Sequence, residues 1–170
     1  MLLLKAVWIS SSLFFLNLLS PVFILAQSTL QFEEQSLFIP LIDSQNKVEC
    51  KHLSLSHKEQ KVYFIKHSSG HYLKVTFEQQ KDTIFSHPVE NSKTEIEIKS
   101  GNKSYYKKDW KVFQENNYLF FVLLLPPNYL KTTLANEGIS EILVGNQSII
   151  TLSKKESQQI KEMANYLLNH

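Results

Sequence analysis

One thiol and four imidazoles lie within 22 consecutive positions, CKHLSLSHKEQKVYFIKHSSGH, which begin at Cys50 and end at His71. Thiolate and imidazole groups are the preferred protein ligands of zinc. A cysteine activated by a histidine is also a common catalytic nucleophile. The types and spacing of these residues therefore raise two chemical hypotheses, a metal site and a nucleophile.

The metal hypothesis uses four residues, His67 and His71 together with Cys50 and His52. The run SSG at residues 68–70 has the form of a three-residue hairpin loop that ends in a left-handed glycine. Such a loop sets His67 directly opposite His71, with Cβ atoms about 4.5–5.5 Å apart. Cys50 and His52 alternate onto one face of their own strand and would complete the ligand set. The spacing matches no fixed zinc motif, so the four residues are candidates only.

The nucleophile hypothesis is weaker, because the residues around Cys50 lack the supporting groups. Glu49 and Lys51 flank the cysteine, and no glycine is close enough in sequence to build an oxyanion hole. A Gly-x-Ser-x-Gly motif is also absent from the sequence. We expect Cys50 to be a small buried side chain. The motifs leave the question of catalysis open, although they favour a protein that is not an enzyme and binds no cofactor.

The N-terminal residues 1–26 have the layout of an export signal. Lys5 gives a short positive region, Leu13–Leu19 an apolar centre, and Pro21 a helix break before the expected new N-terminus at Gln27. The alternative is an uncleaved anchor, since the length of the apolar run matches the ~20 residues that span a bilayer. Polar residues interrupt that run, so we expect cleavage, no remaining membrane span, and a secreted or periplasmic protein.

The remaining residues 27–170 are predicted to form a single domain. Without Lys5 the chain has 17 lysines against 16 acidic residues and no arginine, so it is nearly neutral. Arginine is the residue best suited to bidentate recognition of phosphate and guanine, so nucleic-acid binding is disfavoured. The single cysteine, Cys50, allows no internal disulfide.

Alternating and apolar patterns predict a series of strands before any helix. They cover residues 37–42, 48–55, 61–67, 71–77, 83–86, 94–100, 104–113 and 118–125. Pro40 places the first strand at a sheet edge, and the fully apolar last strand should be covered on both faces. A three-residue loop or bulge at Gly101-Asn102 would keep Ile96 and Ile98 on one face with Trp110.

Helical patterns appear only toward the C-terminus. A short helix is predicted over 128–137, followed by a hairpin around Gly145-Asn146. Ser153 and Glu156 form a capping box that opens a final helix, whose apolar residues are Ile160, Met163, Ala164 and Leu167. The predicted fold is α+β. It consists of a mainly antiparallel sheet, a meander of one or two layers, with two C-terminal helices packed on it.

Three classes of function remain open at this point. The first is an exported non-catalytic domain that binds a protein, a glycan or an envelope component. The second is a carrier of a small molecule or lipid, with an apolar cavity lined by residues such as Phe77, Trp110 and Phe121. The third is a metal-binding protein that uses the His67/His71 pair. Asn102 and Asn146 also lie in glycosylation sequons within predicted turns.

Overall fold

The computed structural model describes residues 30–78 and 95–170. The expected export signal and the strand expected at 83–86 lie outside the described residues. The strands are β1 (Glu33–Phe38), β2 (Lys47–His57), β3 (Gln60–His67), β4 (Gly70–Glu78), β5 (Ile96–Ser100), β6 (Lys103–Lys107), β7 (Val112–Glu115), β8 (Tyr118–Leu124), β9 (Glu141–Val144) and β10 (Gln147–Thr151).

The strands form two antiparallel sheets. The larger has six strands in the order β1-β2-β3-β4-β8-β7, and the smaller has four in the order β10-β9-β5-β6. Together with two helices this confirms the predicted α+β fold with a mainly antiparallel sheet. Strand β1 is an edge strand, as Pro40 indicated, although the strand ends two residues before that proline.

The first helix, α1, covers residues 127–137 and changes geometry along its length. It is α-helical over Pro127–Tyr129, π-helical over Leu130–Leu134 and α-helical again over Ala135–Glu137. Gly138 ends it with a φ of 71°. A Cβ at that position would lie 2.1 Å from the Ser157 carbonyl oxygen, so the helix can only turn here on a glycine.

The second helix, α2, covers Lys154–Asn169 and confirms its sequence pattern. The Ser153 hydroxyl accepts a hydrogen bond from the Glu156 backbone N–H, and the Glu156 carboxylate accepts one from the Ser153 backbone N–H. The predicted apolar stripe is buried, and its members are Ile160, Met163, Ala164 and Leu167. None of the helices within the described residues has the length and apolarity needed to cross a membrane.

The hairpin between β3 and β4 corrects the predicted register. His67 is opposite Gly70 and His71 is opposite Lys66, so the loop has two residues, Ser68 and Ser69, instead of three. A shift of one residue moves every side chain of a strand to the other face of the sheet. His67 and His71 therefore lie on opposite faces, and the expected cross-strand histidine pair does not form.

The β5–β6 hairpin also has a two-residue turn, Gly101-Asn102, because Ser100 is opposite Lys103. The expected three-residue loop was wrong because the predicted strand 104–113 is in fact two strands in two sheets. The chain bends between β6 and β7, where the Trp110 backbone N–H donates to the Lys108 carbonyl. That bend brings Trp110 into the core without any need for a bulge.

The main core lies between one face of the large sheet, the small sheet and the two helices. It is mostly apolar, and the buried Ser100 hydroxyl beside it lies 3.1 Å from the Tyr129 hydroxyl. Residues that are fully excluded from solvent include Phe64, Leu73, Ile98, Phe121, Ile142 and Ile160. Burying one such side chain stabilises the fold by about 1.5–3 kcal/mol. Strand β8 contributes to both faces, as predicted, since Phe121 is in the main core and Phe120 is in a second cluster.

That second cluster, the second core, occupies the other face of the large sheet. Its buried members are Leu37, Ile39, Cys50, Ile65, Tyr72, Phe120 and Val122. The sheet curls around it. The Lys47 Nζ of β2 lies 2.8 Å from the Glu115 Oε1 of β7, although three strands, β3, β4 and β8, lie between β2 and β7 in the sheet.

Candidate functional site

Three of the four residues of the metal hypothesis, Cys50, His52 and His67, lie on one face of the large sheet, and His71 does not. Cys50 and His52 do share one face of β2, where Cys50 joins the second core. His71 lies on the opposite face of the sheet, in the row that Lys66 also occupies. Across residues 30–78 and 95–170, no group of three or more His, Cys, Asp or Glu side chains is placed so that it could hold a metal ion.

His67 is engaged in its own turn. The Ser69 backbone N–H donates to His67 Nδ1 over 3.1 Å, and the Ser69 Oγ lies 2.7 Å from the same nitrogen. The Ser69 hydroxyl also contacts the Tyr72 hydroxyl at 2.8 Å. These bonds close the two-residue turn and hold the His67 side chain at the end of β3.

Cys50 is a buried thiol of the kind that the sequence predicted. Its side chain is 8% exposed, and its Sγ donates to the Gln35 carbonyl oxygen over 3.4 Å. Burial raises the pKa of the thiol, which keeps it protonated near neutral pH. A protonated thiol among apolar side chains is not a nucleophile.

Lys74 is a buried charged residue that sequence reasoning missed. Its residue surface is 2% exposed, yet it belongs to the second core face of β4. The ammonium donates to the Phe38 carbonyl oxygen at 3.1 Å and to Glu115 Oε2 at 3.3 Å, and it lies 4.2 Å from the centre of the Phe120 ring. Burial lowers the Lys74 pKa, and the Glu115 carboxylate opposes that effect.

The Lys74 group fixes the curl of the large sheet. Through Phe38, Glu115 and Phe120 it touches the end of β1 and the strands β7 and β8, while Lys47 reaches the other Glu115 oxygen. Although burial raises the Glu115 pKa, hydrogen bonds from Lys47 and Lys74 outweigh it and lower the pKa. Lys47 and Lys74 are both paired with the Glu115 carboxylate. The three charges therefore link β2, β4 and β7, and none of the three is an unpaired acid or base.

His52 is the buried polar residue whose partners are incomplete. It is 1% exposed, and its Nε2 lies 3.3 Å from Glu33 Oε2 on β1. Its Nδ1 is the only described buried side-chain nitrogen or oxygen without a hydrogen-bond partner. The Tyr63 ring packs beside it, with ring centres 5.5 Å apart.

Strand β1 is the open side of the large sheet. Its first four residues are exposed, and it pairs with β2 along all six of its residues. Within the described residues no strand pairs with its other side. An unpaired edge presents backbone N–H and C=O groups that another strand can bind.

A groove of about 750 Å³ adjoins this edge, and we call it the β1 groove. Its lining includes Glu34, Ser36, Glu49, Lys51, Lys66 and, from the end of α2, His170. Most lining residues are polar and carry both signs of charge, and the Lys51 Nζ lies 3.3 Å from Glu34 Oε1. Among the described residues, an open edge strand beside such a groove is an arrangement suited to binding a polypeptide.

The aromatic residues proposed to line a carrier cavity pack against one another instead. The Phe121 ring contacts Phe77 with centres 6.4 Å apart and Trp110 with centres 5.9 Å apart. All three belong to the main core. These side chains therefore fill core volume.

Comparison of the chain with models of known protein families, with curated proteins and with solved structures found no match in any of the three.

Proposed function

We propose that this protein is an exported, non-catalytic binding domain that holds an extended segment of another protein against the edge of β1. The observation that carries the proposal is the open edge of β1, exposed over residues 33–36 and bordered by the β1 groove. A strand added to this edge would gain main-chain hydrogen bonds, while the groove would receive alternate side chains.

The charges around the edge favour a protein partner over other kinds of ligand. Glu33 and Glu34 are adjacent on β1, with side chains 67% and 75% exposed, and they would repel phosphate groups of a nucleic acid or an anionic lipid. Lys51 and Lys66 on the groove side offer the opposite charge. A polypeptide with residues of both signs can meet this pattern.

The export part of the proposal comes from the N-terminal residues. Their positive start, apolar centre and proline are typical of a secretory signal. The absence of arginine and the near-neutral charge are compatible with a partner in the envelope or outside the cell.

Proline substitutions can block the edge by removing a single backbone donor, and Gln35 and Ser36 both line the groove, so the loss of a groove side chain is matched between them. In an antiparallel pair, alternate N–H groups point to the partner strand and away from it. Of Gln35 and Ser36, one therefore donates to β2 and the other points outward. Gln35→Pro and Ser36→Pro form a matched pair, since the one that removes the outward donor should leave the free energy of unfolding nearly unchanged.

Photo-crosslinking in the producing cell tests the proposal. A benzoylphenylalanine at Lys51, in the β1 groove, should give a discrete crosslinked protein, whereas the same group at exposed Ser148 on β10 should not. The product should disappear in the proline variant that keeps normal stability. No product from position 51, equal products from both positions, or a product that survives both prolines would overturn the proposal.

A further inference from the structure

His52 sits where the edge strand joins the rest of the sheet. In the β1–β2 register it is opposite Glu33, and in the β2–β3 register it is opposite Ile65. Among the described residues, the Glu33 carboxylate is the only polar side chain that bonds the ring, through Nε2. His52 therefore links the first residue of β1 to a buried position of β2.

The bonding pattern indicates a neutral imidazole. Nε2 carries the proton that the Glu33 carboxylate accepts, which leaves a lone pair on Nδ1. Because Nδ1 is buried and has no partner, a second proton there would be a buried donor without an acceptor. Leaving such a donor unpaired costs about 1–3 kcal/mol, and more for a charged group.

The groups that face His52 do not remove this cost. Glu33 from β1 favours the charged ring, Tyr63 from β3 presents an aromatic ring, and Cys50 lies two residues away on the same face of β2. Burial raises the pKa of both Tyr63 and Cys50, so neither supplies a negative charge at mildly acidic pH. Lys51 and Glu34 occupy the opposite face.

We propose that protonation of His52 releases β1 from β2, so that the open edge exists near neutral pH and is lost in mild acid. Solvent reaches the ring when β1 separates, and the imidazolium is then hydrated. Opening and proton uptake are therefore one coupled event. The role of this event in controlling partner binding rests on the proposed function, because β1 is the strand proposed to bind the partner. The separation of β1 from β2 does not depend on that function.

The direction of the pH effect follows from the His52 pKa. Burial lowers that pKa from the ordinary value of 6.5, more than Glu33 raises it. When β1 is detached from β2, the His52 ring therefore binds a proton that it does not bind while the two strands are paired. The free energy that holds β1 closed is fully present above about pH 6.5 and decreases as the pH falls toward the lowered pKa, by at most about tenfold in the equilibrium constant per pH unit.

Amide hydrogen exchange of the full mature chain, without any partner, tests the inference. After correction for the intrinsic rate, the protection of the slow amides in residues 33–38 should fall between about pH 7 and about pH 5, by no more than about tenfold per pH unit. Protection in β9 should stay constant over the same range. The NMR titration of the His52 ring should follow the loss of β1 protection.

Two histidine variants separate the proposed device from general acid sensitivity. His52→Gln, which cannot take up a proton, should remove the pH response of β1, whereas His67→Gln in the exposed turn should keep it. If His52→Gln lowers stability too far, Glu33→Gln serves instead. Losing the carboxylate should leave the onset of the β1 response unchanged and extend the loss of protection to lower pH, because the pKa of His52 in the paired form falls further.

Constant β1 protection from about pH 7 to about pH 5, or a response that persists in His52→Gln, would overturn the inference. Failure of the crosslinking experiment would leave this result untouched, since no partner enters it. Conversely, a β1 edge that binds its partner equally at both pH values would keep the proposed function and remove the switch.

Discussion

The two faces of the large sheet have different chemistry. On the main core side β5 buries the neutral Ser100 hydroxyl, whereas the ionisable residues Lys74 and His52 are buried on the face of the second core. Both ionisable residues contact β1 or its end, through Phe38 and Glu33 respectively. We therefore expect the main core to supply most of the stability of the fold, and the second core to determine how firmly the edge strand is attached.

The largest expected effect is a cavity in the main core. Phe121→Ala should lower the free energy of unfolding by about 3–5 kcal/mol, because Phe121 is fully buried between Phe77 and Trp110. Phe113→Ala, beside the second core, should cost only about 1–2 kcal/mol, because its ring is half-buried. Denaturant unfolding of both variants measures the difference. Equal losses would contradict the division of roles between the two cores.

The next effect concerns the Lys74–Glu115 pair. Glu115→Leu should cost about 2 kcal/mol, since it leaves the buried ammonium with a carbonyl oxygen and a ring as its described partners. The double variant Lys74→Met/Glu115→Leu should return to within about 1 kcal/mol of the original protein, because no buried charge remains. A double variant as unstable as the single one would show that the pair itself supplies stability.

A smaller effect is expected at the start of α2. Ser153→Ala should lower the free energy of unfolding by about 1 kcal/mol, because the capping box loses its hydroxyl. Ser148→Ala on β10 is the control, as it changes an exposed serine outside any helix. Thermal unfolding of both proteins should place the loss at position 153 alone.

Acid should weaken the same helix start in a defined window. Hydrogen bonds from Ser153 and then His57 lower the Glu156 pKa from 4.5 to about 2. The His57 Nδ1 lies 2.6 Å from Glu156 Oε1, which ties β2 to α2. A lowered carboxyl pKa gives stability that is present above about pH 4.5 and lost as the pH falls toward 2. Glu156→Gln should therefore differ from the original protein at neutral pH, and the two stability curves should converge in acid.

The smallest effect is expected for the ion pair in the β1 groove. Lys51→Gln should change the free energy of unfolding by no more than about 0.5 kcal/mol, because both partners are largely exposed. The same variant removes one of the positive charges offered to a partner. A large loss of stability would mean that the groove is structural and would weaken the binding proposal.

Local signals predicted the C-terminal half of the fold well. The capping box at Ser153 and the apolar stripe of α2 each depend on residues close in sequence, and both are confirmed. The turn around Gly145-Asn146 is also confirmed, with Gln147 opposite Val144. Such features need no knowledge of what packs against them.

The register of the β3–β4 hairpin could not be predicted because β3 is apolar on both faces. In β3, Phe64 enters the main core and Ile65 enters the second core, so alternation cannot say which side is inside. Parity therefore fitted a three-residue loop as well as the actual two-residue turn. The same ambiguity displaced the metal candidates, since the register decides which histidines share a face.

The second core could not be predicted from the sequence for a different reason. In the run HYLKVTF, Lys74 alternates with Leu73 and Val75 and has the pattern of a solvent-facing lysine. Only the curl of the sheet, which brings Phe38 and Glu115 to its ammonium, encloses it. His52 lies on the same face and is buried for the same reason.

The openness of the β1 edge can be measured directly by residue-specific amide exchange in the free protein at neutral pH. An edge strand paired on one side should show alternate fast and slow amides along residues 33–38, with the fast ones exchanging almost as quickly as in an unfolded chain. Uniform protection of all six amides would show that another strand already covers this edge, and the binding proposal would then fail.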